Sequence, residues 1–178
     1  MTATIAVADL ARAIHSEWSQ ARKREGWRLG PADADARMSP FLKPLDEFSS
    51  LEWRRERWLA LTDIIAIAGC RPTSLDSLRI AGASLHAAHH EVDVIGRRAH
   101  AAWAAINQAL GFLDTRAGIA FDDLDQPAKA RCRSNIACDI EALRKLTAPL
   151  AKRTISICLC ADMRTDTPMA EAVLNTMR

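Results

Sequence analysis

The feature that most constrains this chain is a motif that occurs twice. The first copy reads His15-x-x-Trp18 followed by Gly26-Trp27, and the second reads His100-x-x-Trp103 followed by Gly111-Phe112. All four positions share an offset of 85 (100 − 15, 103 − 18, 111 − 26, 112 − 27). Leu45-Asp46-Glu47-Phe48 then aligns with Phe121-Asp122-Asp123-Leu124, and Arg57 with Arg133, at an offset of 76 (121 − 45, 133 − 57). The second copy therefore reads as the same unit with 9 residues (85 − 76) missing from its central loop. A duplicated two-helix unit closes on itself about a pseudo-twofold axis, and a concave site forms at the seam from equivalent residues of both copies.

The periodicity around these anchors predicts a mostly α fold. A first helix runs from Ile5 to about Glu25, with Leu10, Ile14 and Trp18 four residues apart on one face, and Gly26 stops it. From Trp27 to Phe48, Pro31, Pro40 and Pro44 make a stiff, irregular loop. Ser49 or Ser50 caps a second helix reaching about Ala68, whose inner face is Leu51, Trp58, Leu61 and Ile65. Beyond Arg71-Pro72-Thr73-Ser74, a third helix spans roughly Ser84 to Leu110, with Gly96 as a weak point. Pro127 suits the first turn of a fourth helix ending near Leu146. Thr154 to Cys160 alternates with a period of two and reads as a short strand, and Pro168 to Met177 as a last short helix. The organisation is then a first repeat over 1–70, a connector over 71–83, a second repeat over 84–148, and a tail over 149–178 packed on the same domain.

Composition narrows the function classes. Apolar residues make up 49% and charged residues 26%, as in an ordinary globular domain. A net charge of +2 implies no polyanion partner. The basic runs Arg22-Lys23-Arg24 and Arg54-Arg55-Glu56-Arg57 lie among acids and lack the spacing of a DNA-reading motif, so no nucleic-acid polymer is expected. No stretch approaches the roughly 20 apolar residues that span a bilayer. The N-terminus lacks the basic region of a secretory signal, so the expected compartment is the cytoplasm. Five cysteines form an odd set without disulfide or zinc spacing and read as reduced thiols. His86, His89 and His90, with Glu91 and Asp93, read as a solvated face. No Ser-His-Asp set, phosphate-cradling glycine loop or paired carboxylates at recognisable spacing stands out, so neither an enzyme nor a cofactor is expected.

The first copy, Ala13-Ile14-His15-Ser16-Glu17-Trp18, Gly26-Trp27-x-x-Gly30-Pro31, then Pro40-x-Leu42-x-Pro44-x-Asp46-Glu47-Phe48, resembles the ryanodine-receptor repeat. The second, from Arg98 to about Leu146, keeps His100, Trp103, Gly111, Phe121, Leu124 and Arg133 but has lost the Gly-Pro and the proline loop. The resemblance implies a helical module of paired repeats with an adenine-nucleotide cleft between them. It places the rings of Trp18 and Trp103 in that cleft, with Arg22 one turn after the first, Asn107 as its counterpart, and Arg57 as the basic residue of the second helix. Stand-alone microbial versions resemble sensors of nucleotide signalling and phage defence.

The residues themselves support the same expectation. Two tryptophans meeting across a seam make an aromatic clamp, and purines stack on such rings for roughly 1–3 kcal/mol per base. Arg22 and Asn107 each follow their tryptophan by four and share its helix face, one suited to a phosphate and the other to a base or ribose. Arg57 and Arg133 would add charge, Trp27 would border the cleft, and His15 and His100 would cap or touch it. Trp53 and Trp58 read as core. The expected function is non-enzymatic binding of a small adenine-containing nucleotide, as sensor or sequestering protein. A separate effector or a second copy is the expected protein partner. The alternative is an interaction scaffold whose tail strand pairs with another chain.

Overall fold

Three of the five residues from Thr2 to Ala6 are β-branched, and the segment forms a strand (β1, Thr2–Ala6) rather than the first turn of a helix. The computed structural model describes residues 2–76, 78–87, 91–112 and 114–177. Helix α1 (Val7–Arg24) follows without a linker and buries Val7, Leu10 and Ile14. The chain crosses a small two-stranded pairing of Arg28–Leu29 (β2) with Met38–Ser39 (β3) and then two 3-10 turns, Pro40–Leu42 and Leu45–Glu47. Helix α2 (Ser50–Ile67) opens with a capping box, in which Ser49 Oγ accepts from the Glu52 N–H and Glu52 accepts from the Ser49 N–H. Trp58, Leu61 and Ile65 are wholly buried as its spacing requires, whereas Leu51, in the first turn, is 43% exposed. This helix touches α1 on one side and four later helices on others, so it has no solvent stripe of ordinary width.

The expected third helix is broken in two. A short strand, β4 (Arg79–Ala81), and a single turn, α3 (Gly82–Leu85), precede helix α4 (Val92–Leu110). The next helix is α5 (Gln126–Thr147), whose last turns reach the break. Arg144 donates to the Ala87 carbonyl at 2.8 Å, and His86 Nε2 lies 3.0 Å from Thr147 Oγ1. The Thr147 hydroxyl is already donating to Leu143 O, so it accepts from His86. Of the histidine run, His89 and His90 fall outside the described residues.

Helices α1, α2, α4 and α5 pack around one core that includes Leu10, Leu61, Ile64, Ile106 and Leu143. Strand β5 (Thr154–Cys158) lies in the middle of a sheet ordered β1-β5-β4, parallel to β1 and antiparallel to β4. Both of its edges are taken within the chain, which corrects the expectation of a tail strand open to another protein. One turn, α6 (Ala161–Arg164), leads to α7 (Thr167–Met177), which packs on α2 and α4. Asp166 accepts from Arg54 Nε at 2.8 Å and from Trp58 Nε1 at 3.1 Å, and Arg98 Nη2 donates to the Cys70 and Met177 carbonyls. Among the described residues no helix is long and apolar enough to cross a membrane.

Candidate functional site

The two halves repeat the same local contacts where the motif is kept. Each first helix ends at a left-handed glycine, Gly26 at φ +84° and Gly111 at φ +74°. The ring residue after each glycine closes back on the helix. Trp27 N–H donates to Arg22 O and Phe112 N–H to Asn107 O, both at 2.9 Å. Each loop then makes two 3-10 turns, Pro40–Leu42 and Leu45–Glu47 in the first, Thr115–Gly118 and Phe121–Asp123 in the second. The 9 missing residues therefore come out of the β2–β3 excursion, before the turns that hold the loop to the helices.

The motif histidines tie these loops down. His15 Nε2 lies 3.2 Å from Lys43 O, and His100 Nε2 lies 2.8 Å from Ile119 O, carbonyls that are themselves 76 residues apart (119 − 43). A carbonyl only accepts, so each Nε2 carries the proton. Burial lowers the His15 imidazole below its ordinary range, against the pull of Glu56, which keeps it neutral. Each histidine also backs its tryptophan. The His100 and Trp103 rings stack with centroids 5.2 Å apart, and His15 and Trp18 stand 5.8 Å apart at 40°.

Between the halves lies a cavity of ≈ 210 Å³. At roughly 10–15 Å³ per water in this measure, it has room for on the order of fifteen waters, which suits a small organic ligand and no polymer. Both tryptophans and both histidines line it, so the seam brings the two motif copies to one place. The first loop adds Phe41, and the second adds Leu124 and Arg116, the last with its guanidinium 5.5 Å from the Trp103 ring centre.

The polar residues one turn beyond the tryptophans lie elsewhere. Arg22 is only 6% exposed and donates to Asn135 Oδ1 at 2.6 Å, to Ser134 Oγ at 3.1 Å and to Glu25. Asn107 accepts from Arg55 Nε at 2.7 Å and donates to Trp103 O. Each seam is thus latched by one Arg–Asn pair, with the roles exchanged: Arg22 on α1 to Asn135 on α5, and Arg55 on α2 to Asn107 on α4. Arg57 turns to Asp162 and Arg133 to Asp93, and neither lines the cavity; nor does Trp27. These five positions shape or flank the site rather than facing it, because each charge met a partner in a neighbouring element.

The lining holds two further pairs that the motif search passed over. Arg55 and Arg131 (131 − 55 = 76) and Asp63 and Asp139 (139 − 63 = 76) all face the cavity at the repeat's own offset. Extending that offset to both sides of Arg57 along the helix reaches them. Arg55 rests against the tilted pair Phe41 and Phe112, 4.6 Å and 5.4 Å from their ring centres, and also donates to Glu56. Arg131 keeps a buried Nε with no hydrogen-bond partner among the described residues. Burial, then the nearby Glu56 charge, pushes the Asp63 carboxyl up to about 7. Burial also raises Asp139 well above the carboxylate range, helped by the charges of Asp63 and Glu56. No protein-family model matches this chain, and no curated protein aligns with it significantly.

Proposed function

We propose that this chain is a tandem module of the ryanodine-receptor-repeat type that binds a small adenine-containing nucleotide in the cavity between its halves, without turning it over. The observation that carries the reading is the convergence of both His-x-x-Trp pairs on one cavity of nucleotide scale. Two half-buried indoles, each backed by a histidine that anchors a loop, offer a purine stacking surfaces whose orientation is fixed before the ligand arrives. Arg131 supplies a donor for a phosphate or ribose, beside the charge of Arg116, which Asp114 holds in place, while Arg22 and Arg57 act through packing. A cyclic or ADP-ribose-type messenger fits this chemistry. The protein then serves as a sensor or as a sequestering protein in phage defence or counter-defence.

Titration calorimetry against adenine, guanine and cyclic nucleotides tests the reading. An adenine nucleotide is expected to bind, and Trp18→Ala or Trp103→Ala is expected to weaken it by about 5- to 150-fold, the value of roughly 1–3 kcal/mol of stacking. No binding across the panel, or binding indifferent to both substitutions, overturns it.

A further inference from the structure

A stacking clamp has no use for two buried acids. Asp63 and Asp139 reach the cavity from α2 and α5, one from each half, and among the described residues neither carboxyl has a hydrogen-bond partner. Asp139 is 5% exposed. The oxygens of both carboxyls stay open to the cavity in a lining where packing favours apolar side chains, so their retention points to something in the cavity that completes them. Arg131 adds a second unpartnered atom in the same cavity, a donor in this case. On both helices the arginine and the aspartate stand eight residues apart, about 12 Å of helix axis, so the cavity offers acids and bases at separated points.

We propose, resting on the nucleotide reading above, that Asp63 and Asp139 are the base-specifying pair of this cavity: together they take the amino-imine edge of a 6-aminopurine, one as ionised acceptor and one as protonated donor. Two carboxylates that feel each other's charge in a partly enclosed site resist ionising together near neutral pH. The pair then carries one proton, and so presents one donor and one acceptor. Adenine matches it with the N6 amino group as donor beside a ring nitrogen as acceptor. A 6-oxopurine puts an acceptor where adenine has the amino group, and the match fails. The charged and titratable groups around the pair are Arg55 and Glu56 from α2, His15 from α1, His100 from α4, Arg131 and Cys132 from α5 and Arg116 from the second loop, with Arg22 of α1 acting on Asp139 from behind the lining. Glu56 holds the proton on the pair, whereas Arg55 and Arg22 pull against it. Arg55 is already bonded to Asn107 and Glu56, but its counterpart Arg131 keeps Nε open. That difference breaks the twofold symmetry and favours one ligand orientation, with the anionic end towards Arg131.

The test is calorimetry with adenosine 5′-monophosphate and inosine 5′-monophosphate, which differ in the 6-amino group, from about pH 6.5 to about pH 8.5. The adenine nucleotide is expected to bind about 10-fold or more tightly than the inosine nucleotide near neutral pH, and to weaken as the pair loses its proton. Asp63→Asn and Asp139→Asn keep size and hydrogen bonding, so they should retain the preference and flatten the alkaline fall. Asp63→Leu and Asp139→Leu should erase the preference. Equal binding of the two nucleotides, with both weakened by Trp18→Ala, overturns the base-specifying role and leaves the clamp standing. An unchanged alkaline fall in both Asn variants also overturns it. Binding of neither nucleotide overturns the role and the nucleotide reading together.

Discussion

At Asp63 and Asp139 the chain places two carboxyl groups where packing alone favours apolar side chains. Both folded-state values lie above that of an unfolded aspartate, so between pH 3.8 and about 7 the folded protein holds protons that the unfolded chain has released. Stability therefore falls as pH rises through that window, and Asp139 acts in the same direction. His15 acts in the opposite sense, because its lowered folded value costs stability as pH falls below 6.5. Comparing the wild type with an Asp63→Asn, Asp139→Asn double variant isolates the acids. At about pH 8 the variant is expected to gain roughly 1–3 kcal/mol, read as about 2–4 °C of melting temperature per kcal/mol for a chain of this size. Near pH 4 the gain should vanish. Thermal unfolding across the range checks it, and a variant less stable at the alkaline end would show that the carboxylates are paired after all.

Within the repeated elements, size is exchanged between positions that the two offsets align. Gly96 on α4 matches Ala11 on α1, and Phe121 matches Leu45 (96 − 11 = 85, 121 − 45 = 76). A methyl group added at Gly96 would sit 2.9 Å from Phe121 Cε2 and 3.0 Å from Cζ, so the larger ring of the second loop requires the smaller residue on its helix. Gly96→Ala should thus destabilise by about 1–3 kcal/mol through overpacking, although alanine is the better helix former by about 1 kcal/mol. Adding Phe121→Leu, the pairing of the first half, should recover most of the loss. Denaturant unfolding of the single and double variants measures this, and additive losses would refute the exchange. From the sequence alone Gly96 reads only as a weak point in a helix, since its reason lies 25 residues away (121 − 96). The same limit applies to the longer elements. Helices α2 and α5 follow from their own caps and spacing, Ser49 with Glu52 and Asp125 with Pro127. Strand β1 and the break before α4 depend on partners in β5 and at the end of α5, and no local pattern announces them.

Across the whole molecule, the sheet joins both ends of the chain and the seam joins both halves. β1 and β5 pair from Thr2–Thr154 to Ala6–Cys158, while α1 packs on α5 and α2 on α4 across the repeat boundary. The seam itself was legible, because a motif repeated at fixed offset places equivalent residues on either side of one axis. Which polar residues face it was legible only in part. Spacing puts Arg22 on the tryptophan face of its helix but does not reveal that Asn135 waits across the seam to bond it. Elements that share one core and exchange buried bonds this way unfold together. Tryptophan fluorescence and far-ultraviolet dichroism should report one coincident urea transition, and a nucleotide bound at the seam should raise it as a unit. At 100 times its dissociation constant, the ligand adds about 2.7 kcal/mol, roughly 5–10 °C of melting temperature at this size. Trp18→Ala and Trp103→Ala should each remove most of that rise. Two separate transitions, with the nucleotide shifting one alone, would mean that the repeats fold apart and that the cavity belongs to one of them.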